Sequence, residues 1–220
     1  MLRILFENDD IIAVDKPVGL AAIAERNIEK DCLLTQLSAL FRHKVYVVHR
    51  LDKDASGVIL FAKNARAHRY LCQQFTKHTI KKTYLALVHG QISGDGGIIE
   101  KPLRQFGSGR MAVDTGPGKP AITEFEVTQR FAGYTLVQAH PVTGRRHQLR
   151  VHFYSIGHPI VGDRFYGERG IQSKFSRLML HAEKITFQLP SGEQLTLQAP
   201  PPQSFTNIIE LLINLGKTGG

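Results

Sequence analysis

Apolar and polar positions alternate in short runs along most of this chain, and three- and four-residue apolar spacing is confined to a few segments. Residues 2–6 and 11–14 read as strands around the turn Glu7-Asn8-Asp9-Asp10, whose short polar side chains can bond their own backbone. The loop Asp15-Lys16-Pro17-Val18-Gly19-Leu20 follows, with Pro17 fixing the backbone and Gly19 able to take positive φ. Leu33, Leu34, Leu37, Leu40 and Phe41 then fall on one helical face, with Asp31 as the expected cap. A second helix carries Ala67, Leu71 and Phe75 behind the cap Asn64.

Between those helices a β-branched run, residues 45–48, and a second apolar run, residues 58–61, predict two short strands flanking a polar turn. Further on, Thr83, Leu85 and Leu87 alternate with Tyr84, Ala86 and Val88 as in a strand. Residues 91–120, rich in Gly and Pro, read as loops or an irregular ribbon. Residues 122–127 and 135–139 predict antiparallel strands joined near Ala132-Gly133. A short helix through Leu149, Phe153 and Ile156 ends at Gly157, which puts His147 and Arg150 on one face. Residues 178–182, 185–187 and 195–197 close the sheet. From Ser204 an amphipathic helix with Phe205, Ile208, Ile209, Leu212 and Leu215 packs back on the core, and residues 217–220 fray.

Composition narrows the class. Over 220 residues, 42% apolar and 21% charged side chains suit a chain with a proper core rather than a disordered one. The net charge of +9 fits a polyanion binder. Cys32 and Cys72 form neither a metal-ligand spacing nor a disulfide framework. The N-terminus turns acidic too soon for a signal peptide, and no apolar run approaches the ~20 residues of a membrane helix. The expectation is a cytoplasmic protein with no membrane contact. No Gly-rich fingerprint follows a strand and no Walker-type Gly-Lys-Ser/Thr occurs, so no nucleotide cofactor is expected. His140, His147, His152 and His158 lie close in sequence. They lack helical metal spacing and a completing carboxylate or cysteine, so no metal is expected either.

Chemistry concentrates in the turn His49-Arg50-Leu51-Asp52-Lys53-Asp54, set between segments that should be buried. A carboxylate held at a strand end beside cations stays ionised and can serve as nucleophile or base. The same residues would also suit a solvated hairpin turn with local ion pairs. The basic face of the second helix, Arg66, His68 and Arg69, reads as solvated.

The run His49-Arg50-Leu51-Asp52 followed by Ser56-Gly57 resembles the HRLDxxTSG signature of the RluA-type RNA pseudouridine synthases, with Ala55 where the family usually has Thr. Companions occur in order: Asp15-Lys16-Pro17-Val18-Gly19 early in the chain, Lys82-Thr83-Tyr84, Thr143-Gly144-Arg145-Arg146-His147-Gln148-Leu149-Arg150-Val151-His152, and Leu180-His181-Ala182. The resemblance implies an α+β fold, a largely antiparallel central sheet with flanking helices and loops and a central RNA-binding cleft, working without a cofactor. It also implies one catalytic domain over residues 1–220, with a core of about 2–202 and a C-terminal helix at 204–215. Many relatives carry a small RNA-binding domain ahead of this core; with the first strand at Leu2, none is expected here.

The residue roles implied by the family follow. Asp52 is the catalytic carboxylate, Arg150 its charge partner, and Tyr84 stacks on the target base. Arg50 enters the RNA stack to support base extrusion. His49, Lys82, Arg145, Arg146 and His147 are expected at the RNA, and Leu180 in the uracil pocket. The implied partner is a stem-loop of ribosomal or transfer RNA, not DNA, bound by a monomer. Two other classes compete: a catalytically silent RNA-binding module of the same fold, and a hydrolase built on Ser56, for which no G-x-S-x-G elbow exists.

Overall fold

The structure, a computed structural model, describes residues 2–24, 31–107 and 109–218. In chain order the first elements are β1 (Arg3–Glu7), β2 (Ile11–Lys16), α1 (Leu33–Phe41), β3 (Tyr46–Val47), β4 (Ser56–Ala62) and α2 (Ala65–Thr76). Then come β5 (Lys81–His89), β6 (Gly96–Glu100), β7 (Leu103–Gln105), β8 (Met111–Val113), β9 (Ile122–Phe131) and β10 (Tyr134–Pro141). The chain closes with α3 (Gln148–Ser155), α4 (Arg169–Gln172), β11 (Leu180–Gln188), β12 (Gln194–Gln198) and α5 (Gln203–Thr218). Two compact units result: Met1–Lys82 with Ala182–Pro201, and Thr83–His181 with Pro202–Gly220. The fold is α+β, with a mostly antiparallel sheet and few helices.

In the first unit β2 pairs with β1 on one side and β4 on the other, β3 pairs with the end of β4, and β12 pairs with β11, all antiparallel. Every residue of β4 is buried, as an apolar run without alternation requires. Ile11, Ile12, Val14, Ile59, Leu60 and Phe61 are sealed from solvent with Leu33 and Leu37 of α1. Asn64 caps α2 as expected, its Oδ1 accepting from the Ala67 N–H at 2.9 Å. Gln74 clamps that helix to β11 by two amide bonds of 2.9 Å to the Gln188 main chain.

Asp31 is not the cap of α1. The N-cap is Cys32, whose N–H donates to the Thr35 hydroxyl at 3.0 Å, while Asp31 accepts from the Gln36 amide. The N–H groups of Leu33 and Leu34, which a cap at Asp31 would accept, go instead to the carbonyls of Ala21 and Ala22 at 2.9 and 3.2 Å.

The second unit orders its strands β5-β10-β9-β6, again antiparallel, with β7 and β8 as a separate two-stranded ribbon. Its core includes Ala86, Leu87, Val88, Val137, Ala139 and Phe153. A further buried cluster of Leu103, Met111, Ala121, Val151 and Tyr166 underlies the ribbon. The C-terminal helix corrects the sequence expectation. Phe205 is buried, packed beside His181 and Arg177, but Leu215 is 59% exposed and Leu211 58%. Ile208, Ile209 and Leu212 are half-buried as the period predicts, and in the first turn Arg177 Nη1 donates to the Ser204 hydroxyl at 3.0 Å. It extends to Thr218, and Gly219 and Gly220 lie outside the described residues. No helix among the described residues is long and apolar enough to cross a membrane.

Candidate active site

The charged turn of the first unit is residues 48–55, between β3 and β4. Leu51 is buried, Asp52 partly exposed, and Arg50, Lys53 and Asp54 exposed. The backbone closes on itself where the Ala55 N–H donates to the Asp52 carbonyl at 3.2 Å. Lys16 and Gly19 brace the turn from outside. Lys16 is fully buried at the end of β2, and its Nζ donates to the carbonyls of Pro17, Leu20 and Lys53 at 2.9, 2.8 and 2.9 Å. The Gly19 N–H adds a 3.0 Å bond to the same Lys53 carbonyl, with Gly19 at φ +82 as its loop predicted. An ammonium has three N–H donors, so these carbonyls satisfy a charge that burial would otherwise penalise. The sequence reading quoted this lysine as part of a rigid loop and gave it no role.

His49 lies where β3 has ended and β4 has not. Its Nε2 accepts the Leu60 N–H at 3.0 Å, and its ring stacks on Phe75 with centroids 4.8 Å apart. The imidazole thereby continues the sheet edge after Val47, the last residue of β3. Burial, with the Lys82 ammonium as the second cause, pushes the ring down to about 3, so it stays neutral and can accept. Expected at the RNA, His49 is engaged in holding the strand that leaves the turn. Burial likewise pushes the Lys82 ammonium down to about 8. Gly57 is required by contact as well as by conformation. It sits at φ +115, and a Cβ there would meet the Ala182 carbonyl at 2.1 Å. Ser56 is buried in β4, a poor position for a hydrolytic nucleophile.

In the second unit β5 places partly buried Tyr84 opposite Ala139 of β10. The loop entering α3 is built around Gln148. Its Oε1 accepts from the Thr143 hydroxyl and the Arg145 N–H at 2.7 and 2.9 Å, and its Nε2 donates to Ile122 O and Thr123 Oγ1 at 2.9 and 3.1 Å. Arg145 is directed to the Pro120 carbonyl at 3.0 Å, while Arg146 is exposed. His147 caps α3 in the left-handed region at φ 52.

Arg150 is buried, and its partner in this unit is Asp163. Nε and Nη2 donate to the two carboxylate oxygens at 2.7 and 2.8 Å. Asp163 Oδ1 also accepts the N–H groups of Phe165 and Tyr166 at 2.9 and 3.1 Å. Such a bidentate pair fixes the guanidinium plane. Tyr166 completes the cluster: its hydroxyl meets His147 Nδ1 at 2.9 Å and accepts the Met111 N–H at 3.1 Å. The Arg150 guanidinium carbon lies 5.2 Å from the Tyr166 ring centroid, so His147 and Arg150 do meet one surface. Burial, ahead of the other influences, raises the Tyr166 phenol above its ordinary value. Sequence alone gives Asp163 and Tyr166 no role.

Leu180 is buried at the start of β11. The four clustered histidines each have a hydrogen-bond partner: Thr83 for His140, Tyr166 for His147, Thr123 and Lys101 for His152, and the His89 carbonyl for His158. Among the described residues no group of three or more His, Cys, Asp or Glu is placed to hold a metal ion.

Comparison with known proteins gives one consistent result. The family described as RNA pseudouridylate synthase matches residues 10–155. A Zymomonas mobilis protein called an uncharacterized RNA pseudouridine synthase is 37% identical over 212 residues, covering 94% of this chain and 96% of that protein. The dual-specificity RNA pseudouridine synthase RluA of Escherichia coli is 41% identical over 204 residues, 90% of this chain and 93% of its own. Among solved structures, human RNA Pseudouridylate Synthase Domain Containing 1 superposes with a TM-score of 0.79 at 28% identity, covering 97% of this chain and 95% of that one.

Proposed function

Because the chain belongs to the RNA pseudouridylate synthase family and converts uridine to pseudouridine in RNA, we propose that Asp52 is the carboxylate that carries the reaction. The glycosidic bond breaks, the base rotates, and it rejoins the ribose through carbon 5. A carboxylate that adds to the ring or to the sugar splits this change into two easier steps. Tyr84 stacks on the base and assists removal of the carbon-5 proton. Arg150 supplies the counter-charge. The Asp163 pair fixes the plane of its guanidinium. Arg50, exposed two residues before Asp52, fills the stack vacated by the extruded base.

The observation that supports this reading most is the anchoring of the turn. A buried ammonium dedicated to main-chain carbonyls fixes the loop that carries Asp52, as a nucleophile that must meet one ring atom requires. On the RNA side, exposed Arg146 and half-buried Arg145 and Lys82 contact phosphates, and Leu180 lines the uracil pocket. His49 and His147 act through the strand and the helix they hold. In this reading the chain works in the cytoplasm as a monomer, on stem-loops of ribosomal or transfer RNA and not on DNA. One relative is named a dual-specificity enzyme and another a ribosomal large-subunit enzyme.

The test uses ribosomal and transfer RNA, labelled with tritium at uracil carbon 5 and taken from cells lacking the gene. The purified chain should release tritium to water from at least one of the two fractions. Release from neither would reject the substrate assignment.

A further inference from the structure

The second unit carries a cavity that the isomerisation does not use. Phe106, Arg110, Met111, Val151, Tyr154 and Tyr166 line a volume of about 440 Å³ between the β7–β8 ribbon and α3. Its floor is buried, with Met111, Val151 and Tyr166 belonging to the cluster under the ribbon. Its rim is not: Phe106 is 44% and Tyr154 46% exposed. Large rings left in water beside a cavity mark a surface that binds something.

Charge narrows the choice. The Arg110 guanidinium carbon lies 5.2 Å from the Tyr166 centroid and 5.9 Å from that of Tyr154, and Arg104 lies 5.6 Å from Phe106. Lys101 Nζ donates to the carbonyl of Ser155, another lining residue, at 2.9 Å. Against these cations stands Asp114, paired with Arg104 at 3.3 Å. An aromatic rim under guanidinium groups is how proteins hold unstacked bases while their phosphates meet the cations. The Tyr166 hydroxyl is already engaged by His147 and Met111. The floor therefore offers a ring rather than a base-reading hydrogen bond.

We propose that this cavity binds a second, unpaired nucleobase of the RNA, stacked on Tyr154 with Arg110 over it. The inference rests on the RNA reading above and adds a stacking subsite tolerant of base identity.

The test is equilibrium binding of a fluorescein-labelled single-stranded RNA of about ten nucleotides, within the usual span of such grooves. One uridine sits at its centre, and a set of versions each carries one abasic residue. Tyr154→Ala should weaken binding of the intact RNA about ten-fold, a typical loss for one base–ring stack, and Tyr154→Phe should restore it. With the held base removed, Tyr154→Ala should cost no more than about two-fold. At other abasic positions the full loss should remain. Arg110→Ala should follow the same pattern, which guards against a fold defect in one variant. Equal losses at every position, or unchanged binding by Tyr154→Ala, would overturn the proposal. Tritium release by the native chain, read in parallel, reports on the isomerase reading itself, so the two failures are distinguishable.

Discussion

The turn bearing Asp52 is gripped at its main chain, and Arg150 is gripped at its side chain. Lys16 reaches three carbonyls, one of them next to Asp52 in the chain, and the Ala55 N–H closes the turn on the Asp52 carbonyl. Arg150 is instead fixed by the Asp163 carboxylate, beside the Tyr166 ring whose hydroxyl meets His147. A loop held through its backbone tolerates change in its own side chains. Ala55, standing where the family usually has Thr, still makes its N–H bond. A cluster held through side chains fails wherever one partner is replaced. In the first region Lys16 reaches three carbonyls at once, whereas in the second the load is spread over several side chains.

The comparison breaks most directly at Asp163. Asp163→Asn keeps the shape but leaves a buried guanidinium without its counter-charge, which should cost about 3–5 kcal/mol of stability. Urea unfolding measures this, and a loss under about 1 kcal/mol would mean the pair is not what fixes Arg150. Lys16→Met should cost less in stability, about 2–3 kcal/mol, because carbonyls lose one donor while the desolvation of a charge is relieved. Its effect on tritium release should exceed its effect on folding, since the turn loses its anchor. If the folded fraction of Lys16→Met turned over at the native rate, the anchor would be irrelevant to chemistry.

His49 sharpens the first region by pH. Its ring is neutral in the folded chain, whereas the unfolded chain binds a proton there below the ordinary value of 6.5. Stability from this residue is complete above pH 6.5 and is lost as pH falls toward about 3. The decline is at most ~1.4 kcal/mol per pH unit. In His49→Gln, whose side chain can still accept the Leu60 N–H, the stability–pH slope in that window should be shallower. An unchanged slope would assign acid lability to other groups. The smallest effect belongs to exposed Arg146. Arg146→Ala should weaken RNA binding a few-fold and lower the logarithmic salt slope by roughly 0.7–0.9. No change in slope would remove it from the phosphate contacts.

Much of this was legible before any coordinates. Short apolar runs placed β1, β2, β9 and β10, alternation placed β5, and a polar residue ahead of a helical period placed the Asn64 cap, because each depends on neighbours in the chain. The turn bearing Asp52 was legible as charges crowded between apolar runs. The anchors were not. Lys16 meets the Lys53 carbonyl across 37 residues, and a bond to main chain leaves no trace in the identity of the partner. Asp163 lay in a glycine-rich loop whose only visible signal was an acid among apolar residues. Asp31 is not the cap because the N–H groups of Leu33 and Leu34 are taken by the Ala21 and Ala22 carbonyls, distant main chain that leaves no mark in the sequence. Leu215 matched the helical period yet faces solvent, since periodicity marks an apolar face and not what covers it.

Asp52→Asn is the most direct measurement. The substitution preserves shape and the main-chain bonds that hold the turn, removing only the charge and the nucleophilic oxygen. Tritium release from uracil carbon 5 should fall to background while RNA affinity stays within about three-fold of the native chain, a difference well under 1 kcal/mol. Substantial release by Asp52→Asn would contradict the assignment of the reaction to this carboxylate.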